Sequence, residues 1–318
     1  MIFWILFSLE DFTMSLLIVG SIGIDDVKTP LESHKDLLGG SASYASVAAS
    51  FFTPVQLVGV VGEDFPSHYR QLFQKRGIDL DGLKVKNGKT FRWSGEYLWD
   101  LKQRKTLSIE LNVFEHFRPT LPQNYRGAPY VMLGNISPSL QLHVLNQMKR
   151  PKFVMADTMD LWIETARADL LKLLEKVDAV CMNDSEAREL TGITSLIKAG
   201  QKLLSYGPRY ALIKKGEHGC LLFSKGNFFA APAYPLEDIH DPTGAGDVFA
   251  GATMGYLAQT NKVDFETLRK AVIYGSTMAS FNVEAFSLKR LQTLKPSDIE
   301  KRYRTFINIS HFDQRPTK

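Results

Sequence analysis

The strongest constraint on the fold is the spacing of six apolar runs, most of which are separated by segments with helical periodicity. The runs lie at 16–20, 55–61, 129–133, 152–156, 178–182 and 209–213. Neighbouring parallel strands need a crossover segment between them, and that segment is usually a helix. The alternation therefore predicts an α/β fold with a mostly parallel central sheet between two layers of helices. The 318 residues are 44% hydrophobic and contain no linker or repeat, so we expect one compact unit.

Residues 83–117 interrupt this alternation. Two short segments of this stretch, 91–99 and 106–111, alternate apolar and polar residues, as antiparallel strands do. They predict a small β lid over one edge of the main sheet; the alternative is that they only extend that sheet. The lid carries aromatic side chains that either stack on a sugar or base or form its core: Phe91, Trp93 and Trp99.

Charge and cysteine content disfavour several classes of protein. The net charge of +4 comes from 38 basic and 34 acidic residues without a long basic block, which argues against nucleic-acid binding. The seven histidines lack the spacing of a zinc site. Cys181 and Cys220 lie in apolar runs, so we expect reduced core thiols and a cytoplasmic protein, with a disulfide as the alternative.

The chain starts with an apolar segment, residues 1–7, that is too short to span a bilayer. It lacks a basic region and is followed by Glu10 and Asp11, so it does not resemble a signal peptide. Met14 precedes the first convincing strand. We expect residues 1–13 to be a mis-assigned start, with a genuine N-terminal extension as the alternative.

A glycine-rich turn precedes a helix predicted over 244–258, and a second helix is predicted over 265–282. The turn reads Asp241-Pro242-Thr243-Gly244-Ala245-Gly246-Asp247. Small residues at a helix N-terminus allow an anion such as phosphate to approach the free N–H groups. Asp247 in the first helical turn is then either a helix cap or a catalytic acid–base group, and the residues alone leave both roles open.

Two other segments join a turn or a strand end to a helix start. Gly39 and Gly40 allow close approach of the backbone, and Ser41 is placed to cap a helix over 42–51. Asn183 and Glu186 lie three residues apart after the apolar run that ends at 182. They form either a capping box or a site that organises hydrated Mg²⁺ and phosphate oxygens.

The turn at 241–247 resembles the signature of the PfkB/ribokinase family of carbohydrate and nucleoside kinases. Other segments similar to the family's motifs occur in the family's order: 19–25, 38–45, 183–186 and 214–219. The resemblance implies a ribokinase-like three-layer α/β/α sandwich with a small β lid. It also implies transfer of the γ-phosphate of ATP to a hydroxyl of a small sugar-like substrate. We expect one kinase domain over 14–310, with the lid at 83–117.

The resemblance assigns a role to each matching residue. It assigns the role of general base to Asp247. It assigns the anion hole for the transferring phosphate to Gly244, Ala245 and Gly246. The acceptor pocket is assigned to Asp25, Gly39, Gly40 and Ser41. The nucleotide site is assigned to Asn183, Lys214, Gly216 and Asn282, and Mg²⁺, held through water, to Glu186 and Asn183. A monovalent cation such as K⁺ is assigned to Asp241 and Thr243.

Two departures from the family pattern leave the acceptor open. Tyr44 stands where many relatives have an asparagine that contacts the sugar, and residues 157–162 lack the asparagine and arginine of many sugar kinases, although Asp157 is still placed to act near the phosphate. A nucleoside is therefore the first alternative acceptor, and a catalytically silent metabolite-binding protein is the second alternative. We expect a small-molecule partner and a homodimer through the lid, but neither nucleic acid nor membrane.

Overall fold

The computed structural model describes residues 14–310, so the expectation for residues 1–13 lies outside the described part of the chain. The strands are β1 (Leu16–Val19), β2 (Gly23–Lys28), β3 (Ser33–Gly39), β4 (Val55–Gly62), β5 (Asp79–Lys86), β6 (Phe91–Tyr97), β7 (Arg104–Glu110), β8 (Tyr130–Leu133), β9 (Phe153–Asp157), β10 (Ala179–Asn183), β11 (Tyr210–Lys214), β12 (Cys220–Ser224) and β13 (Asn227–Ala231). The α-helices are α1 (Ser41–Ala49), α2 (Ser67–Lys75), α3 (Pro138–Leu145), α4 (Asp160–Thr165), α5 (Arg167–Leu174), α6 (Asp184–Thr191), α7 (Leu196–Leu204), α8 (Ala245–Thr260), α9 (Phe265–Asn282), α10 (Lys289–Thr293) and α11 (Pro296–Ser310).

The main sheet within residues 14–310 has nine strands in the order β13-β12-β11-β10-β9-β8-β1-β4-β5. Neighbours from β11 to β5 pair in parallel, whereas β12 and β13 are antiparallel at one edge. The six apolar runs are β1, β4, β8, β9, β10 and β11, so the mostly parallel sheet predicted from their spacing is confirmed. Parallel strands are apolar throughout because helices cover both faces of the sheet.

Hydrophobic cores lie on both faces of this sheet. One contains side chains from α1, α2, α8 and α9, and the other contains side chains from α3, α5, α6 and α7. Helix α8 approaches α1 closely because Gly251 has no side chain: a Cβ atom there would lie 2.3 Å from the carbonyl oxygen of Ala45. This contact sets how closely α8 packs against α1. Cys181 and Cys220 are buried free thiols in the core.

A second, four-stranded sheet has the order β3-β2-β6-β7. Strands β6 and β7 are the antiparallel pair expected in the lid. The lid was expected to begin at residue 83. Residues 83–86 instead belong to β5, which pairs with β4 and extends the main sheet. The other half of the small sheet comes from β2 and β3. The segment 19–25 is divided between two strands: β1 ends at Val19, and Asp25 lies within β2.

None of the helices in residues 14–310 combines the length and the hydropathy needed to cross a membrane.

Candidate active site

The glycine-rich turn leads directly into α8. Its N-cap is Gly244, whose φ of 73° is left-handed, and no side chain caps the helix in the described structure. A side chain at position 244 would also collide with Tyr44, because a Cβ atom there would lie 2.4 Å from the phenol ring. Tyr44 is therefore buried beneath the turn and supports it. Asp247 lies in the first turn of α8 but does not cap it, so the capping alternative does not describe this residue.

The Asp247 carboxyl is in an environment that favours its neutral form. Burial raises the pKa of Asp247, and the negative charge of Asp157 raises it further, to about 7. Lys214 and Arg104 oppose this rise because their positive charges stabilise the carboxylate. A carboxyl group with a pKa near neutrality is suited to accept a proton at physiological pH.

A buried ion pair lies next to the turn. Lys214 Nζ is 3.4 Å from Asp157 Oδ1, and both side chains are largely buried. Burial alone would lower the pKa of Lys214, but the surrounding acidic groups, chiefly Asp157 and then Cys181, Glu186 and Asp247, together raise it above its ordinary value and keep the ammonium group protonated. A Cβ atom on Gly246 would lie 3.0 Å from Lys214 Nζ, so the ammonium group contacts the backbone of the turn. Glycine at 246 thus leaves room for a fixed positive charge at the predicted anion hole.

The backbone of the turn has only some of its N–H groups available. The N–H group of Ala245 donates to the carbonyl of Pro242 at 3.2 Å, and that of Val248 donates to Gly244 at 2.8 Å. The N–H group of Gly246 has no acceptor among residues 14–310. Of the three residues assigned to the anion hole, Gly244 and Gly246 both have N–H groups without an acceptor among residues 14–310, and Gly246 is the one that lies beside the charge of Lys214.

The carboxyl ends of neighbouring strands bring the remaining polar groups to this edge. Asp157 ends β9, Asn183 ends β10 and Lys214 ends β11, and Asn183 pairs with Lys214 in register. Ligands in open parallel sheets bind outside the carboxyl ends of the strands. The residues predicted from separate motifs therefore lie together at the carboxyl ends of neighbouring strands.

Asn183 and Glu186 form the capping box of α6. Asn183 Oδ1 accepts from the Glu186 N–H at 2.8 Å, and Glu186 Oε2 accepts from the Asn183 N–H at 2.7 Å. Burial, followed by repulsion from Asp157, raises the pKa of Glu186 to about 7, although Lys214 opposes the rise. The other carboxylate oxygen of Glu186 remains outside the box. An additional positive charge would be favourable here, so the residues fit a hydrated divalent cation.

Two glycines, Gly39 and Gly40, shape the acceptor pocket that is predicted around Asp25. The Asp25 carboxylate contacts the α-carbon of Gly39, and Gly40 has a left-handed φ of 92° at the N-cap of α1. Burial is the main cause that raises the pKa of Asp25 to about 8, and repulsion from Asp241 and Asp247 adds to it. Asp25 is therefore a buried acid in a cluster of acids.

Ser41 does not cap α1, which is a correction to the sequence interpretation. Its Oγ accepts from the N–H of Ser21 at 3.2 Å and lies 3.2 Å from the hydroxyl oxygen of Ser21. The N-cap position belongs to Gly40, which has no side chain. Ser41 therefore ties the start of α1 to the break between β1 and β2.

Asp241 is buried beneath the turn. Its carboxylate accepts from the N–H groups of Thr243 at 2.9 Å and Ser287 at 3.0 Å. Burial raises the pKa of Asp241 despite these hydrogen bonds. Among the described residues, no lysine or arginine forms an ion pair with it. A buried carboxylate without a cationic partner in the described structure fits a monovalent cation such as K⁺, since hard cations take oxygen ligands.

Asn282, which the resemblance assigns to the nucleotide site, lies beneath the glycine-rich turn, and its contact with nucleotide stays a prediction. It is fully buried, and its Nδ2 donates to the carbonyl of Thr243 at 2.9 Å. Its Oδ1 has no partner in the described residues. Asn282 thus supports the glycine-rich turn from below. Gly216 lies in an exposed turn after β11, with a left-handed φ of 55°, and its contact with nucleotide stays a prediction.

Three residues at the site could not be identified from the sequence: Tyr97, Ser287 and Arg104. The Thr243 hydroxyl donates to the Tyr97 hydroxyl at 3.2 Å, which ties the small sheet to the turn. Ser287 has a left-handed φ of 55° and donates from its Oγ to the Leu38 carbonyl at 2.6 Å. The positive charge of Arg104 opposes the rise in the pKa of Asp25 and of Asp247. Each lies far in the chain from the motif it serves, so local patterns do not predict it.

The aromatic residues expected in the lid divide into three environments. The Phe91 ring packs on Phe114 with 5.3 Å between centroids, so it belongs to the base of the small sheet. Trp99 is 87% exposed. Trp93 is partly buried and lies on the strand next to Asp25. Of these three residues, Trp93 is the one that pairs in register with Asp25 of the predicted acceptor pocket.

A ribokinase-like fold, with an acid and a buried lysine at a helix N-terminus, defines the class of small-molecule phosphotransferases. Residues 20–293 match the model of the pfkB family carbohydrate kinase, and the chain belongs to that family. The resemblance of the turn at 241–247 to the family signature is thereby confirmed.

Several relatives bear names of sugar or nucleoside kinases. A cytidine kinase of Thermococcus kodakarensis is 32% identical over 252 residues, which cover 77% of this chain and 88% of the relative. The solved nucleoside kinase of Methanocaldococcus jannaschii has a TM-score of 0.74 at 19% identity and covers 92% of this chain and 98% of that one. A Vibrio cholerae fructokinase solved with fructose, ADP and calcium has a TM-score of 0.77 at 16% identity and covers 92% and 100%. The chain is thus a sugar or nucleoside kinase of this family.

Proposed function

We propose that this kinase transfers the γ-phosphate of ATP to a hydroxyl of a nucleoside, with Asp247 as the general base. The observation that carries the proposal is the environment of Asp247, which lies at the N-terminus of α8 with a pKa of about 7. The Lys214 ammonium group lies against the same turn. A base and an anion-binding site are therefore adjacent, as phosphoryl transfer to an alcohol requires.

The reaction proceeds by displacement at the γ-phosphorus. The acceptor hydroxyl gives its proton to the Asp247 carboxylate while its oxygen forms a bond to phosphorus. The bond from phosphorus to the bridging oxygen breaks, and ADP leaves with that oxygen. The N–H group of Gly246 and the ammonium group of Lys214 stabilise the negative charge on the transferring group. Asp25 orients the acceptor by accepting a hydrogen bond from a second hydroxyl.

Mg²⁺ is the divalent cation in this proposal, and its chemistry is to neutralise charge on the ATP phosphates. Glu186 and Asn183 would hold it, mostly through water. The capping box leaves one Glu186 oxygen for this contact. The charges of Lys214 and Glu186 attract each other, so the proposed cation site and the proposed anion site are electrostatically coupled.

K⁺ is proposed at Asp241 and Thr243. The carboxylate there is buried without a cationic partner in the described structure, and a bound cation would stabilise the folded protein by mass action. Replacing KCl by tetramethylammonium chloride at equal ionic strength is expected to lower both the Tm and the turnover. An equal Tm in the two salts would remove K⁺ from the proposal.

A nucleoside is preferred over the free sugar of the sequence interpretation because of the cytidine kinase relative, whose match extends over most of both chains. Trp93 beside Asp25 supports this choice, since an indole ring can pack against a base. A free sugar is the second candidate, and the family description as carbohydrate kinases favours it.

The deciding experiment is a phosphotransfer screen. Purified protein with ATP and Mg²⁺ is incubated with cytidine, uridine, inosine, ribose and fructose, and ADP and the phosphorylated product are both measured. Product from a nucleoside supports the proposal, whereas product from free sugars alone supports the second candidate. Binding without turnover across the panel would identify a silent metabolite-binding protein and overturn the kinase proposal for this chain.

Homodimerisation through the small sheet is proposed as well. Strand β7 is the edge of that sheet and exposes Leu107 and Ile109, which are 51% and 57% accessible. An exposed apolar edge strand is a surface on which a second copy can pair. Light scattering after size-exclusion chromatography is expected to give a dimer, and Ile109→Glu is expected to shift it to monomer. A wild-type monomer at all concentrations contradicts this proposal.

A further inference from the structure

One face of the small sheet is directed at the glycine-rich turn. Tyr97 on β6 and Arg104 on β7 are directly opposite each other in the antiparallel pair, so their side chains project from the same face. The Tyr97 hydroxyl accepts from the Thr243 hydroxyl at 3.2 Å, which shows that this face meets the turn. Arg104 is therefore on the side of the sheet that faces the acceptor pocket.

Trp93 lies on the same face and is held flat against the sheet. A Cβ atom at Gly95 would lie 2.1 Å from the indole ring, so only glycine leaves space for it. The indole Nε1 donates to the Thr106 hydroxyl at 3.3 Å. Trp93 pairs in register with Asp25 on β2. The indole ring therefore lies between the strand that carries Asp25 and the strand that carries Arg104.

Arg104 and Trp93 form a joint surface. The guanidinium carbon of Arg104 is 5.4 Å from the centre of the Trp93 ring, within the range of a cation–π contact. Among residues 14–310, no hydrogen bond or ion pair engages the side chain of Arg104, so its five guanidinium N–H donors are available. A guanidinium group that is stacked on a ring but makes no hydrogen bond is preorganised to donate to a ligand.

The surrounding charge selects the kind of ligand. Asp241 and Asp247 both repel Asp25, and Arg104 opposes the rise in pKa that burial gives Asp25 and Asp247. An anionic substituent on the acceptor would meet this cluster of acids. A neutral planar group with two adjacent hydrogen-bond acceptors matches the guanidinium fork without that repulsion.

We propose that Trp93 and Arg104 form the subsite for the base of the nucleoside acceptor, an inference that rests on the proposed function. The Arg104 guanidinium donates to the carbonyl oxygen and the adjacent ring nitrogen on the edge of a pyrimidine such as cytosine. The Trp93 ring packs on the nucleoside and holds the guanidinium group in the plane of the base. The ribose hydroxyls then reach Asp25 and Asp247.

The test compares Arg104→Gln with Lys105→Gln, using cytidine as the probe. Lys105 is the adjacent residue on β7, lies opposite Glu96 and projects from the other face, so it is the matched control. Because a two-pronged contact to a base contributes about 1–3 kcal/mol, Arg104→Gln is expected to raise the KM for cytidine about 5- to 150-fold. The KM for ATP is expected to stay within about twofold, and Lys105→Gln is expected to match the wild type.

Arg104→Lys separates the fork from the charge. Lysine keeps a positive charge but cannot donate from a rigid fork, so this variant is expected to recover only a small part of the loss. Recovery to the wild-type KM would show that charge alone acts at this position and would overturn the base contact. Arg104 is exposed, so unchanged thermal unfolding is expected for all three variants.

The outcomes keep this inference separate from the proposed function. Turnover of cytidine with an unchanged KM in Arg104→Gln overturns the subsite while the nucleoside kinase stands. An equal rise in KM for cytidine and for ribose also overturns it, because ribose has no base. Turnover of free sugars alone overturns both the nucleoside proposal and the subsite.

Discussion

The Asp25 carboxylate packs against Gly39 so closely that a Cβ atom at position 39 would lie 2.0 Å from Asp25 Oδ2. Gly39 does not have a left-handed backbone, so an alanine there acts through this contact alone. We expect Gly39→Ala to displace the Asp25 carboxylate and to lower kcat/KM for the acceptor about 100-fold, the cost of a displacement near 1 Å in an active site.

Steady-state kinetics with the acceptor and ATP varied separately measure this effect. Gly127→Ala is the control, because a Cβ atom at Gly127 meets no atom within 4 Å. A Gly39→Ala enzyme with wild-type kcat/KM would show that the carboxylate of Asp25 does not orient the acceptor.

Asp247→Asn tests the general base. The amide has nearly the shape of the carboxyl group but cannot accept the proton, so kcat is expected to fall about 10²- to 10⁴-fold. Burial already favours the neutral carboxyl, so the neutral amide is not expected to lower the Tm. Asp81→Asn, an exposed aspartate on β5, serves as the control in both assays. An Asp247→Asn enzyme that keeps more than about a tenth of the wild-type kcat contradicts the mechanism.

The pH dependence of kcat/KM is expected to report the ionisation of Asp247. The base must be deprotonated to act, so activity is expected to rise with pH through an apparent pKa near 7. Asp157 raises this pKa, and Lys214 lowers it. Asp157→Asn is therefore expected to move the rising limb to lower pH, because the repulsion is lost while the attraction of Lys214 remains. Rates measured from about pH 5.5 to about pH 9 at constant ionic strength decide this point, and a limb that stays in place or moves to higher pH contradicts it.

Much of the architecture can be predicted from sequence because it depends on local patterns. Buried parallel strands are continuous apolar runs, so β9, β10 and β11 and the polar residues that end them follow directly from the chain. The turn before α8 is equally local, since Gly244 needs a left-handed backbone and Gly246 needs space for Lys214.

Other parts depend on contacts between distant residues. Strand β3 is mostly exposed and lacks an apolar pattern, so nothing in its sequence indicates that it is one of the four strands of the small sheet. Ser287 contacts Leu38 across 249 positions of the chain. Arg104 lies in an exposed strand, and only the pairing of β6 with β7 places it opposite Tyr97. Such contacts are products of tertiary packing, and single-residue patterns do not contain them.

The Lys214–Asp157 pair couples stability to the site, and its two charges are separated by one intervening strand, β10. Lys214→Met leaves Asp157 as a buried charge without a partner, and this is expected to lower the free energy of unfolding by about 3–5 kcal/mol. Adding Asp157→Asn removes that charge, so the double variant is expected to regain most of the lost stability while kcat stays low, since the ammonium group beside Gly246 is still absent. Urea denaturation of the wild type, the two single variants and the double variant measures the coupling free energy. Additive losses in the double variant would mean that the two side chains act independently, and recovery of kcat would mean that Lys214 serves the fold and not the transferring phosphate.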